Sequence, residues 1–135
     1  MHAYSNIILS NPLLLLANLG NTSYPEHPEW NVYNFGKSTS IRLVVNNYTP
    51  IPHAMHLHAH NFWVLAEGIG KWNGKVTNPK NPVRRDTHLM GPGTDDAPFY
   101  SVIEFEADNP GVWPFHCHLV AHVAAGMYIN IIVSF

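Results

Sequence analysis

The chain has 135 residues, 46% of them hydrophobic and only 12% charged, with seven basic against nine acidic side chains and a net charge of -2. That length suits one core and a single domain spanning residues 1–135. The charge balance offers no basic stripe for nucleic acid or an anionic membrane face, and no apolar run approaches the roughly 20 residues of a membrane span.

In chain order, the apolar residues 13–19 read as a short helix. The same stretch makes a poor export signal, because it is brief and residues 1–12 contain no Lys or Arg. Two acceptor triplets, Asn21-Thr22-Ser23 and Asn47-Tyr48-Thr49, nevertheless suggest a secreted glycoprotein. Residues 40–46 mix alternation with β-branched side chains and end at Asn46-Asn47, which predicts a strand. Residues 61–67 predict the next, closed by Gly68 and Gly70. Residues 70–98 are dense in Gly, Pro and Asn and read as long surface loops.

Residues 99–106 alternate strongly, and Asp108-Asn109-Pro110-Gly111 is expected to turn them into 112–118 as a hairpin. A helical turn over 119–125 and a final strand over 127–133 follow. Several strands joined by turns, with little helix, predict an all-β Greek-key sandwich or barrel.

Histidine is the anomaly in the composition. Seven of the ten lie within residues 53–60 and 116–122. In the first cluster, His53-Ala54-Met55-His56-Leu57-His58-Ala59-His60, residues two apart on an extended strand point the same way, roughly 7 Å apart. His56 and His58 can therefore approach one metal site together, whereas His60 reads as a packed residue or one that supports a ligand. His2, His27 and His88 are assigned to the surface or loops.

In the second cluster four residues separate Cys117 from His122, and four separate His122 from Met127. A thiolate, two imidazoles and a weak axial thioether make the blue-copper ligand set. Cys117, His122 and Met127 supply three members, and His53 is the best candidate for the fourth. On an extended chain His116 and His118 leave one face and Cys117 the other, so one tripeptide can touch two metal sites.

Cysteine is commonly an inert buried hydrophobe and methionine core filler, but neither reading accounts for the joint spacing beside a second histidine cluster. Zinc hydrolases with His-x-His usually add an adjacent Asp, where Asn61 stands here. Cupin-like sites need a Glu that Glu67 supplies too late, and a Cys nucleophile flanked by two histidines on one strand faces away from both.

Together, His-x-x-His-x-His and His-Cys-His-x3-His-x4-Met resemble the C-terminal, third cupredoxin domain of multicopper oxidases, most closely that of fungal laccases. Asn11-Pro12-Leu13-Leu14, Gly20-Asn21-Thr22-Ser23-Tyr24, Asn81-Pro82-Val83-Arg84-Arg85-Asp86-Thr87 and Gly111-Val112-Trp113 extend the resemblance over most of the chain. It implies a type 1 copper held by His53, Cys117 and His122 with Met127 axial. It also implies a type 2 copper on His56 and a type 3 pair on His58, His116 and His118.

In such enzymes a phenolic or similar small aromatic donor gives single electrons to the type 1 copper. The Cys-His bonds pass them to a trinuclear cluster that reduces dioxygen to water, so Cys117, His116 and His118 would form the electron path. The donor pocket would lie beside the type 1 histidines, shaped by loops 68–98.

Three departures accompany the resemblance. Ala54 and Ala59 stand where the family usually has Pro and Gly. Met127 stands where fungal laccases often have Leu or Phe, which implies a low-potential site. The cluster also needs four further histidines, in two His-x-His motifs of an N-terminal cupredoxin domain, and this chain has none to spare. A fragment of a three-domain enzyme is the preferred expectation, with a complementary partner chain as the other. A mononuclear electron carrier without oxygen chemistry is the competing function, but it has no use for His56, His58, His116 and His118; an inactive truncated product is a third.

Overall fold

The computed structural model describes residues 13–21, 23–24 and 31–134. His2, His27, the Asn11-Pro12 pair and Thr22 of the first acceptor triplet lie outside the described residues. Among the described residues two short helices, α1 (Leu13–Asn18) and α2 (Val120–Ala124), accompany nine strands: β1 (Val32–Asn34), β2 (Ser40–Asn47), β3 (His53–Leu57), β4 (Phe62–Ile69), β5 (Val83–Arg85), β6 (Thr87–Met90), β7 (Phe99–Glu106), β8 (Gly111–Cys117) and β9 (Tyr128–Val133). They form two sheets, ordered β1-β9-β8-β3-β6 and β2-β7-β4-β5. The predicted all-β sandwich is the observed architecture.

The long strands follow the alternation that predicted them. Leu57, Phe62, Phe105, Cys117 and Ile131 are wholly buried, and they come from β3, β4, β7, β8 and β9, so both sheets contribute to one core. Fully burying a phenylalanine such as Phe62 or Phe105 contributes roughly 1.5–3 kcal/mol. Cys117 is part of this core as well as of the histidine cluster.

Two expectations are corrected. Residues 99–106 and 112–118 do not form a hairpin: β7 lies between β2 and β4 in one sheet, and β8 lies between β3 and β9 in the other. Both edges of β7 are already hydrogen-bonded, so the Asp108-Asn109-Pro110 turn carries the chain across the sandwich.

The stretch 70–98 is not all loop, since β5 pairs with β4, and β6 pairs with β3 from His53↔Met90 to His56↔Thr87. Met90, at its end, is 2% exposed. Likewise His88 sits on β6 rather than in a loop, with its Nε2 2.7 Å from the Glu67 carboxylate. Among the described residues no helix is long and apolar enough to cross a membrane.

The turn from β3 into β4 passes through Ala59, whose φ of 57° lies in the left-handed region. A Cβ there is crowded by the following carbonyl, at a cost of about 1–2 kcal/mol. Hydrogen bonds on both sides impose the conformation: His58 N–H donates to Pro114 O (2.9 Å), and the His60 ring Nδ1 lies 3.1 Å from His58 O.

The left-handed backbone explains why this position suits the glycine that the family resemblance led one to expect. Ala59→Gly is therefore expected to stabilise the chain by about 1 kcal/mol in urea unfolding. A lower unfolding midpoint would contradict the strain.

Candidate metal centre

Strands β3 and β8 pair antiparallel with Met55 opposite Cys117, His56 opposite His116 and Leu57 opposite Phe115. Residues opposite one another share a side of the sheet, and successive residues alternate. His53, Met55, Leu57, Phe115 and Cys117 accordingly face the core, where each is buried. His56 and His116 face the other way. Beyond the paired strands, His118 N–H donates to Ala54 O at 2.7 Å, which keeps the chain extended through the tripeptide.

On the core side, His53 Nδ1, Cys117 Sγ and His122 Nδ1 all lie within 4.8 Å of one another. The individual separations are 3.0 Å between the two imidazole nitrogens, 3.3 Å from Sγ to His122 and 3.8 Å from Sγ to His53. A first-row metal at about 2.0 Å from nitrogen and about 2.3 Å from sulfur, at the centre of a trigonal set, spaces its ligands by roughly 3.5 Å. The donor set and its spacing therefore fit a metal of the blue-copper kind.

His122 reaches Cys117 because α2 folds back over the end of β8 before closing at Gly126, whose φ of 90° suits a residue just past a helix end. Met127 joins the same loop through its backbone, its carbonyl accepting from Cys117 N–H (3.1 Å) and its N–H donating to His122 O (2.9 Å). Its side chain packs against the core cluster.

On the opposite side His56, His58, His116 and His118 gather into an imidazole patch. Ring centroids are 4.9 Å apart for His56 and His58, 5.1 Å for His58 and His116, 5.5 Å for His56 and His118, and 6.1 Å for His116 and His118. Backbone acceptors set the tautomers of two of them. His56 Nδ1 donates to Asp86 O (2.9 Å), near the Thr87 hydroxyl (3.0 Å), and His116 Nδ1 donates to Cys117 O (2.8 Å). Each therefore keeps the lone pair of its Nε2 for a ligand. His116 Nε2 lies 2.9 Å from His58 Nε2.

His60 stands apart. It is 7% exposed and packed against Phe105 and Trp113, as a packed residue should be. The cavity of about 310 Å³ among β4, β5, β6 and residues Thr77 and Asn78 holds His88 and Glu67 but none of the seven clustered histidines.

Sequence reasoning did not find the orienting groups. Asp86 and Thr87 stand out in the sequence only within the family resemblance, and Thr49, whose hydroxyl lies 2.7 Å from His53 Nε2, only within an acceptor triplet. A threonine four residues before a histidine carries no pattern by itself.

Burial, and then the neighbouring His122, lower the pKa of His53; burial, and then His56, His116 and His118, lower that of His58. Both stay neutral and available to a metal through a wider pH range than free histidine. In the unfolded chain each returns to its ordinary value of 6.5. Between the folded and unfolded values the unfolded state binds more protons, so these groups stabilise the metal-free chain above that pH and the stability is lost as pH falls through the folded values. The urea midpoint of the metal-free chain should drop on acidification below about pH 6.5, and the drop should be shallower in His58→Gln. A flat profile would overturn this expectation.

The comparisons with known proteins agree with this geometry. Residues 7–134 match the family model described as multicopper oxidase. The chain is 37% identical over 118 residues to laccase-1 of Fomitopsis schrenkii, covering 87% of this chain and 20% of that one. It is 37% identical over 117 residues to the L-ascorbate oxidase of Cucumis sativus, covering 76% and 19%. The crystal structure of the laccase from Botrytis aclada superposes with a TM-score of 0.74 at 29% identity, covering 93% of this chain and 23% of that one. The chain thus spans about a fifth of the length of the curated relatives it matches. A two-sheet fold with a His-Cys-His metal triangle, matched along nearly its whole length, places the chain in the multicopper oxidase family, whose metal is copper.

Proposed function

We propose that this chain is the C-terminal cupredoxin domain of a laccase-like multicopper oxidase, a copper-dependent oxidoreductase that takes single electrons from phenolic or similar small aromatic donors and reduces dioxygen to water. The observation that carries the reading is the sorting of ligands by the β3–β8 pair. His53, Cys117 and His122 converge on the core side, and His56, His58, His116 and His118 gather on the other, with one tripeptide shared between the two.

In this reading His53, Cys117 and His122 would hold the type 1 copper together with Met127, His56 would hold the type 2 copper, and His58, His116 and His118 would hold part of the type 3 pair. When bound, copper supplies one-electron redox chemistry. The chain's own part is positional. The buried Cys117 thiolate excludes water from one end of the path, and its peptide bonds lead directly to His116 and His118. The hydrogen bonds from His56 and His116 to backbone carbonyls aim their Nε2 atoms outward. The Met127 thioether would favour oxidised copper more than a hydrocarbon side chain does and so would lower the potential.

The missing cluster ligands come from N-terminal cupredoxin domains, in the same polypeptide or in a complementary chain, bearing two His-x-His motifs. The exposed His58 and His118 face that partner. The enzyme is secreted, with the Asn21 triplet as an exposed acceptor.

Copper loading of the chain should produce a thiolate-to-copper absorption near 600 nm (roughly, for this ligand set), lost in Cys117→Ser. Oxygen uptake with a phenol as donor should be absent for the chain alone and present once the N-terminal domains are supplied. An unchanged spectrum in Cys117→Ser would remove the type 1 assignment. Turnover by the chain alone would overturn the half-cluster reading, and a blue band with no uptake in the assembled protein would favour a simple electron carrier.

A further inference from the structure

The triplet Asn47-Tyr48-Thr49 has the form of a glycan acceptor, yet the side chains of Asn47 and Thr49 are hydrogen-bonded inward on the copper-ligand side of the sandwich, and only Tyr48 is exposed. We propose that it is instead a positioning device for His53: the Thr49 hydroxyl accepts the His53 Nε2 proton and fixes the tautomer that aims Nδ1 at the metal, while Asn47 is committed to the fold and carries no glycan. The first part rests on the assignment of His53 as a copper ligand.

The proton directions follow from the donor inventory. Asn47 is 5% exposed, and its Nδ2 lies 2.8 Å from both Ile51 O and Gly91 O. Carbonyls can only accept, so both amide hydrogens are used there and the orientation of the amide is settled. Asn47 Oδ1 then accepts twice from Thr49, from its N–H at 2.9 Å and from its hydroxyl at 2.7 Å. A hydroxyl has one proton; directed to Asn47 Oδ1 at 2.7 Å, rather than to the more distant Ile51 O at 3.3 Å, it leaves the Thr49 oxygen facing His53 Nε2, 2.7 Å away, as an acceptor. In this arrangement His53 carries its proton on Nε2. Its Nδ1 lone pair is left facing His122 Nδ1 and Cys117 Sγ, at 3.0 and 3.8 Å.

The backbone around the triplet is equally constrained. Gly93 N–H donates to Thr49 O at 2.8 Å, and a Cβ on Gly93 would fall 2.1 Å from Asn47 O and 2.4 Å from Phe99 N. The 91–93 segment can press against the triplet because that residue lacks a side chain.

N-glycosylation replaces one Nδ2 hydrogen with a sugar carbon. At Asn47 that carbon would have to stand where the Ile51 or Gly91 carbonyl stands. Asn21 is different: it is exposed, and its Oδ1 accepts from Ser23 N–H at 3.2 Å. One of the two triplets is open to modification and the other is closed.

Three measurements decide the matter. Peptide mapping by mass spectrometry of the chain made in a glycosylating secretory host should find Asn47 unmodified, and a glycan there would overturn the second part. Long-range proton–nitrogen NMR of the metal-free chain above the histidine titration range should place the His53 proton on Nε2; a proton on Nδ1 would overturn the first part. This measurement uses the unsubstituted chain and decides even if a variant fails to fold.

Finally, Cu(II) should bind Thr49→Val about 10–100-fold more weakly than the unsubstituted chain, the usual cost of losing a group that orients a ligand. The Cys117-dependent absorption should persist in that variant, and Thr49→Ser should restore the affinity. Unaltered affinity in Thr49→Val, or a serine variant as weak as the valine one, would overturn the positioning role alone. If the unsubstituted chain shows no Cys117-dependent absorption, the copper reading falls and the proposal falls with it.

Discussion

The antiparallel pairing of β3 with β8 is the constraint on which the rest of the site depends. Its register sets Met55 against Cys117 and His56 against His116, so each strand sends alternate side chains to opposite faces of one sheet. A slip of one residue would exchange the two faces: the imidazoles of His56 and His116 would enter the core and the Cys117 thiol would leave it. Such a slip would also expose Leu57 and Phe115, both of which are buried. The hydrophobic core and the metal ligands therefore enforce the same register. Flanking bonds extend it at both ends, from His118 N–H to Ala54 O and from His58 N–H to Pro114 O.

This dependence explains what was legible in the sequence. The ligand spacing could be read because a strand has a fixed period of two, so His116-Cys117-His118 already states that its thiol and imidazoles part company. The core strands β2, β4, β7 and β9 were legible for the same reason. The partner of each strand was not, because turn chemistry reports where a chain reverses and not which sheet receives it. Asp108-Asn109-Pro110-Gly111 looks like a hairpin turn, but β7 already pairs on both edges.

The short strands β5 and β6 were hidden by the Gly and Pro around them. All three residues of β5 are exposed, which leaves no alternating pattern to detect. β1 pairs in parallel with β9 nearly a hundred residues away, a contact no local signal announces.

The orienting groups were illegible for a different reason. Asp86 and Thr87 meet His56 only because β6 lies beside β3, and a backbone carbonyl carries no residue signature at all. The Asn47 triplet was read for its commonest meaning, a surface acceptor, which holds only if the asparagine is exposed. Burial to 5% changes what the same three residues can do.

These parts give the metal triangle its character. The Cys117 thiol is wholly buried in the apolar core, so the strand that carries it holds it in one place, away from water. Burial, and then the neighbouring His122, keep the His53 imidazole neutral to lower pH than a free histidine and so available to a metal. A divalent cation arriving among His53, Cys117 and His122 would meet donor atoms 3.0, 3.3 and 3.8 Å apart, already spaced for it. The core thus commits the Cys117 side chain to one position beside His53 and His122. Because the same cysteine lies between His116 and His118, that commitment fixes one end of the path on which the opposite imidazole patch depends.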